Sequence, residues 1–124
     1  MFTEEAVELV RRTMKLIHRV GPQFWVVENP RGMLRTLDLI PGERRTVTLC
    51  QYGDSRMKPT DLWGGFPPSL ELKPPCKNGE PCHTSAPRGQ RSGSQALFNL
   101  QHVSAQIPYN LSWDLCVACE ADLK

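Results

Sequence analysis

The chain has 124 residues, 40% apolar and 23% charged, with a formal net charge of +2. This composition excludes a disordered chain and a helical membrane protein, since no apolar run approaches the roughly 20 residues a bilayer crossing needs. The length predicts one domain with a real core, small for a complete cofactor-dependent enzyme.

The opening Met-Phe-Thr-Glu-Glu lacks the basic flank and apolar core of a secretory signal. Five cysteines, odd in number and irregularly spaced, predict reduced thiols in a cytoplasmic protein. Charge is uneven: residues 1–30 hold four acids and four bases, 31–91 six acids and ten bases, and 92–124 three acids and one base. The excess in the middle favours contact with phosphate but does not form the dense stripe of a dedicated nucleic-acid binder.

Thr3 is placed to cap a helix with Glu4 and Glu5 in its first turn, where acids complement the positive end of the helix dipole. Ala6, Val10, Met14 and Ile17 follow one helical face, the helix runs to about Arg19, and Gly21-Pro22 stops it. Four apolar residues, Phe24 to Val27, then run into Glu28-Asn29-Pro30. That pattern predicts a strand buried on both faces, delivering polar groups at its end, and helix plus strand read as half of a βαβ unit whose first strand is missing. Met33–Leu37 reads as a short helical or irregular segment closed by Pro41-Gly42. Thr46–Cys50 reads as a strand, Gln51–Ser55 as a turn, and Met57–Trp63 as a return strand whose Pro59 suggests an edge. Between Gly64 and Gln95, five glycines, six prolines and four serines predict a long loop without its own core. A short helix is expected from about Ser112, carrying Leu115, Cys116 and Cys119.

Three constellations carry chemistry. Glu28 and Asn29 sit at a strand end, where ligands of open α/β sheets bind; a solvated turn is the plain alternative. Arg56 and Lys58 flank the hairpin tip, and alternate residues of a strand point to one side, which suits an anionic or carbonyl-bearing ligand as well as simple solvation. Cys76, Cys82 and His83, with the Cys116-x-x-Cys119 pair, allow a tetrahedral zinc site to be drawn, against buried or loop thiols as the alternative.

Four segments together carry a resemblance. Glu28-Asn29-Pro30-Arg31-Gly32-Met33-Leu34-Arg35, Cys50-Gln51-Tyr52-Gly53, Arg56-Met57-Lys58-Pro59-Thr60-Asp61-Leu62-Trp63 and Cys76-Lys77-Asn78-Gly79-Glu80-Pro81-Cys82-His83, in that order, resemble the C-terminal part of DNA cytosine-C5 methyltransferases, nearest to a short phage and prophage subgroup. The resemblance implies an α/β fold, a partial Rossmann-like methyltransferase half. It would form one partial domain over 1–124, with a core at 3–63, the Gly/Pro-rich loop at 64–95 and a C-terminal segment at 96–124. It implies that Glu28 holds and protonates a flipped cytosine at N3 and that Arg56 contacts the cytosine O2, with Asn29, Arg31 and Lys58 on the substrate-binding side. Pro30, Asp54 and Lys58 depart from the family's valine, glutamine and second arginine. The family's Gly-rich loop for S-adenosylmethionine and its Pro-Cys catalytic loop lie upstream of these motifs. The expectation is therefore a chain that binds no cofactor alone, is inactive alone, and partners DNA, an upstream methyltransferase half or a second copy, with no membrane. A non-enzymatic DNA- or protein-binding module, zinc-stabilised or self-associating, is the alternative.

Overall fold

A computed structural model describes residues 3–77, 80–84 and 106–124. The part of the Gly/Pro-rich loop at 85–95, and residues 96–105, lie outside the described residues.

Helix α1 spans Glu4–Val20. Its ends are set by local chemistry: Thr3 Oγ1 accepts from the Ala6 N–H at 3.1 Å, and Gly21 (φ 62°) returns its N–H to the Ile17 carbonyl at 2.9 Å. Strand β1 is Trp25–Pro30, followed by a single 3-10 turn at Met33–Thr36. Strand β2 is Glu43–Thr48, a second 3-10 turn covers Leu49–Tyr52, and strand β3 is Pro59–Gly65. Helix α2, Tyr109–Asp122, starts three residues earlier than the sequence suggests, with Pro108 at its N-cap. No helix among the described residues is long and apolar enough to cross a membrane.

The sheet has the order β1-β3-β2, antiparallel throughout. Two expectations are corrected here. No parallel pairing is present among the described residues, so β1 is an outer strand bonded to β3 and not the second arm of a βαβ unit. And β3, expected at an edge because of Pro59, is the central strand. Proline is tolerated because it opens the strand; its carbonyl still accepts from the Arg31 N–H at 2.9 Å.

The apolar run in β1 has its own explanation. Its side chains are divided between two clusters, one on each face of the sheet. Val47, Leu49, Tyr52 and Leu62 pack with Leu111 of α2, and Val26 and Leu115 join them. Leu34, Ile40 and Trp63 pack with Trp25 and Val27, and Val10 and Met14 of α1 close that side. Adjacent residues of one strand thus serve opposite faces, as the two-residue period requires. The result is a mixed α/β arrangement, a three-stranded antiparallel sheet with a helix on each side. Gly64 is required where β3 passes β1, because any side chain there would collide with the Trp25 carbonyl.

At the centre of β3, Asp61 is fully buried. Its carboxylate accepts from Arg35 Nε and Nη2, at 2.9 and 2.6 Å, and from Thr46 Oγ1 at 2.8 Å. Burial alone would raise this acid, but the hydrogen bonds from Arg35 and Thr46 outweigh it and leave its pKa below the ordinary 3.8. A lowered acid contributes stability that is present above the ordinary pKa and is lost as pH falls through the folded-state value. Arg35→Met strands the buried carboxylate, and we expect a loss of about 3 kcal/mol in urea unfolding at neutral pH. The gap between variant and wild type should narrow on acidification; a gap unchanged by pH would remove the ion pair from this role.

Candidate functional site: the turn before β3 and the adjoining cysteine–histidine cluster

Ten residues, 49–58, link β2 to β3. The 3-10 turn Leu49–Tyr52 ends at Gly53, whose φ of 102° lets the chain reverse, and the Asp54 N–H reaches the Leu49 carbonyl at 3.1 Å. Asp54 then folds the next residues around its carboxylate. It accepts from the Arg56 backbone N–H at 2.8 Å, from Arg56 Nε at 3.2 Å and from Arg56 Nη2 at 3.0 Å. Arg56 is 1% exposed, so its guanidinium is held as a buried part of the turn. Lys58 is also buried and takes a φ of 39°, a left-handed conformation unfavourable for a lysine and held here by its surroundings. Its carbonyl accepts from Thr60 Oγ1 at 3.0 Å.

The expectation that Arg56 and Lys58 project to one side as alternate residues of a strand is therefore corrected. Both precede β3, which begins at Pro59, and both are buried in the turn.

The structure does bring Glu28 and Lys58 into one electrostatic environment. Glu28 lies on β1 opposite Leu62 and its side chain reaches solvent, yet burial of the carboxyl raises its pKa above 4.5, while Lys58 works to lower it. Burial likewise lowers the Lys58 pKa, helped by Arg56 and resisted by Glu28 and Asp54. Four charges, two of each sign, thus interact around this turn. Asn29 uses its amide locally, donating to the Pro30 carbonyl at 3.1 Å, and Arg31 is exposed. Beside the turn, Gly53–Arg56 and Gln106–Tyr109 line a cleft of about 470 Å³. Tyr109, 72% exposed, stacks with Trp113 at 6.0 Å between ring centroids.

The same 3-10 turn supplies Cys50 to a second constellation. Its Sγ lies 3.1 Å from Cys76 Sγ and 3.5 Å from Cys82 Sγ, while His83 Nδ1 lies 3.6 Å from Cys76 Sγ and 3.4 Å from Cys82 Sγ. All four donor atoms fall within 4.8 Å of one another, a group able to hold a metal ion. Cys50 and Cys76 are buried; Cys82 is exposed. Burial and the bond to Cys76 push the Cys50 thiol up to about 12. Burial also works to raise Cys76, but hydrogen bonds from Cys50, Thr48 and Cys82 outweigh it and leave its pKa below the ordinary thiol value. Cys116 and Cys119 take no part: they lie on α2, outside the cluster.

Sequence reading thus found three of these four residues and missed Cys50, which is 26 and 32 residues from its partners. It also passed over Arg35 and Asp61, whose pairing is equally non-local.

Comparison with protein-family models, with curated proteins and with solved structures finds no match to the chain.

A raised carboxyl contributes stability that is complete below its ordinary pKa and is lost as pH rises through the folded value. Glu28→Gln removes that loss. Thermal unfolding should therefore show the variant gaining on wild type as pH rises from the ordinary carboxylate range; a difference that is flat or reversed would mean the carboxyl is not raised.

Proposed function

We propose that this chain is the cytosine-binding half of a DNA cytosine-C5 methyltransferase-like protein, acting with an upstream half. The observation that carries the reading is the raised carboxyl of Glu28 beside the Lys58–Arg56–Asp54 turn. Attack on C6 of cytosine builds electron density in the ring, and a carboxyl that holds its proton more tightly than an ordinary glutamate is the better placed to share it with N3 and relieve that charge. Lys58, left-handed and buried next to this acid, supplies the positive potential that favours a carbonyl oxygen or a phosphate. Arg56 acts through the turn it builds with Asp54 and is a positioning residue in this reading.

S-adenosylmethionine supplies the methyl group in the family. This chain's described residues do not fit it: α1 is entered through Thr3 and α2 through Pro108, and no glycine-rich turn opens either helix. Its contribution here is accordingly confined to holding the base and its proton. The upstream half would bring the donor site and the nucleophile.

The non-enzymatic reading, a DNA- or protein-binding module held by zinc, is favoured by the Cys50–Cys76–Cys82–His83 group. It shares the fold and needs no second half.

Fluorescence anisotropy with a labelled duplex carrying one unpaired cytosine tests the base-binding reading. We expect binding to weaken about tenfold when thymine replaces that cytosine, the range set by one well-made base-edge contact. Glu28→Gln should erase the preference while leaving the weaker affinity for thymine unchanged. Equal affinity for the two duplexes in wild type would contradict the reading.

A further inference from the structure

The described residues 70–77 and 80–84 follow β3 without regular secondary structure, yet they are pinned along the link between β2 and β3 at several points. Lys73 donates its backbone N–H to Tyr52 Oη at 2.8 Å and its ammonium to the Gln51 carbonyl at 3.1 Å. The Cys76 N–H donates to Thr48 Oγ1 at 2.9 Å, and the Thr84 N–H reaches the Ser55 carbonyl at 2.7 Å. The last bond matters most, because Ser55 stands between Asp54 and Arg56. Between these points lie Cys76, Cys82 and His83, all turned toward Cys50.

We propose that Cys50, Cys76, Cys82 and His83 bind one structural zinc ion, and that this ion clamps the chain at Cys76 and at Cys82–Thr84 onto the Asp54–Arg56 turn. The proposal rests on the zinc reading above and is independent of the cytosine reading.

The spacing supports a mononuclear tetrahedral site. Zinc–sulfur bonds of about 2.3 Å and zinc–nitrogen bonds of about 2.0 Å put ligand sulfurs about 3.8 Å apart, and sulfur and nitrogen about 3.5 Å apart. Two of the sulfur–nitrogen separations are 3.4 and 3.6 Å and two of the sulfur–sulfur separations 3.1 and 3.5 Å, the sulfurs standing inside the ideal edge, and the remaining pairs lie within 4.8 Å. Coordination would move the Cys50 and Cys76 sulfurs apart by about 0.7 Å and the Cys50 and Cys82 sulfurs by about 0.3 Å. A cage with every donor within 4.8 Å of every other has room for one ion and none for an iron–sulfur cluster. Three thiols and one imidazole are soft and borderline ligands, which select zinc over magnesium or calcium.

On binding, the three thiols release their protons to solvent and His83 donates the lone pair of neutral Nδ1, so the site carries one net negative charge with zinc in place. No electron is transferred. Ligands at 50 on one side and at 76, 82 and 83 on the other close a loop through the whole of β3, and the binding energy appears as folding energy of the chain so closed.

The full chain, purified under reducing conditions from zinc-supplemented medium, should carry about one zinc ion by elemental analysis, the stoichiometry of a single tetrahedral site. Cobalt(II) added to chelator-treated wild type should give the visible bands of tetrahedral cobalt and the near-ultraviolet thiolate-to-cobalt band. Cys50→Ser should lower zinc retention and weaken the thiolate band, whereas Cys119→Ser should keep both. Because the cobalt spectrum is read on wild type, a Cys50→Ser variant that fails to fold does not rescue the proposal. Hydrogen exchange at the Arg56 and Thr84 amides should slow about tenfold on zinc addition. Wild type with negligible zinc and no tetrahedral cobalt spectrum would overturn the site, as would a Cys50–Cys76 disulfide in the protein as isolated. Exchange at Arg56 unchanged by zinc would overturn the clamp. Zinc present with no cytosine preference would count against the cytosine reading and leave this site standing.

Discussion

A carboxylate with no access to water sits in the middle of the central strand, and much of the fold is arranged so that it keeps its charge. Asp61 belongs to β3, Thr46 to β2, and Arg35 to the 3-10 turn after β1; their hydrogen bonds tie three successive pieces of chain to one point. Buried ion pairs are seldom a cheap source of stability, since desolvation offsets most of the attraction. What this one provides is position. With Arg35 on Asp61, the chain leaving β1 has to turn back over the sheet, which places Leu34 in the cluster beneath α1.

That placement fixes both ends of β3. At its C-terminal end Gly64 lets β1 approach closely, so the register that sets Glu28 opposite Leu62 is held. At its N-terminal end the chain arrives through Lys58 in a left-handed conformation, after a turn built on the Asp54 carboxylate. The strand thus joins two polar constellations. Glu28 and Lys58 share one, and Cys50, just before the turn, belongs to the other. The proposed zinc and the turn beside the proposed cytosine-facing acid would be coupled through the seven residues from Cys50 to Arg56.

Much of this was legible wherever the determining chemistry is local. The ends of α1 follow from Thr3 and Gly21, residues whose capping action depends only on their immediate neighbours. The antiparallel pairing of β2 with β3 follows from two β-rich runs flanking a turn. Inference failed where a residue's meaning depends on distant chain. Pro59 looked like an edge signal but merely opens the strand. Arg56 and Lys58 looked like alternate strand positions, but Asp54 captures the guanidinium and bends the backbone out of strand geometry. The apolar run in β1, read as buried on both faces and parallel, does pack on both faces but is only half-buried and pairs antiparallel, because a helix on each side receives these side chains whichever way the neighbouring strand runs. Cys50 gave no signal within its own stretch, since its partners come from beyond β3.

The central proposal is that Glu28, beside the turn at 54–58, receives a cytosine. Mapping by amide chemical shift during titration of the isotope-labelled chain with a short oligonucleotide carrying an unpaired cytosine tests it most directly. The account predicts shifts concentrated at Glu28, Asn29 and residues 54–58, with the C-terminal turns of α2 unmoved. Shifts confined to the Tyr109–Trp113 face, or none at saturating oligonucleotide, would contradict it.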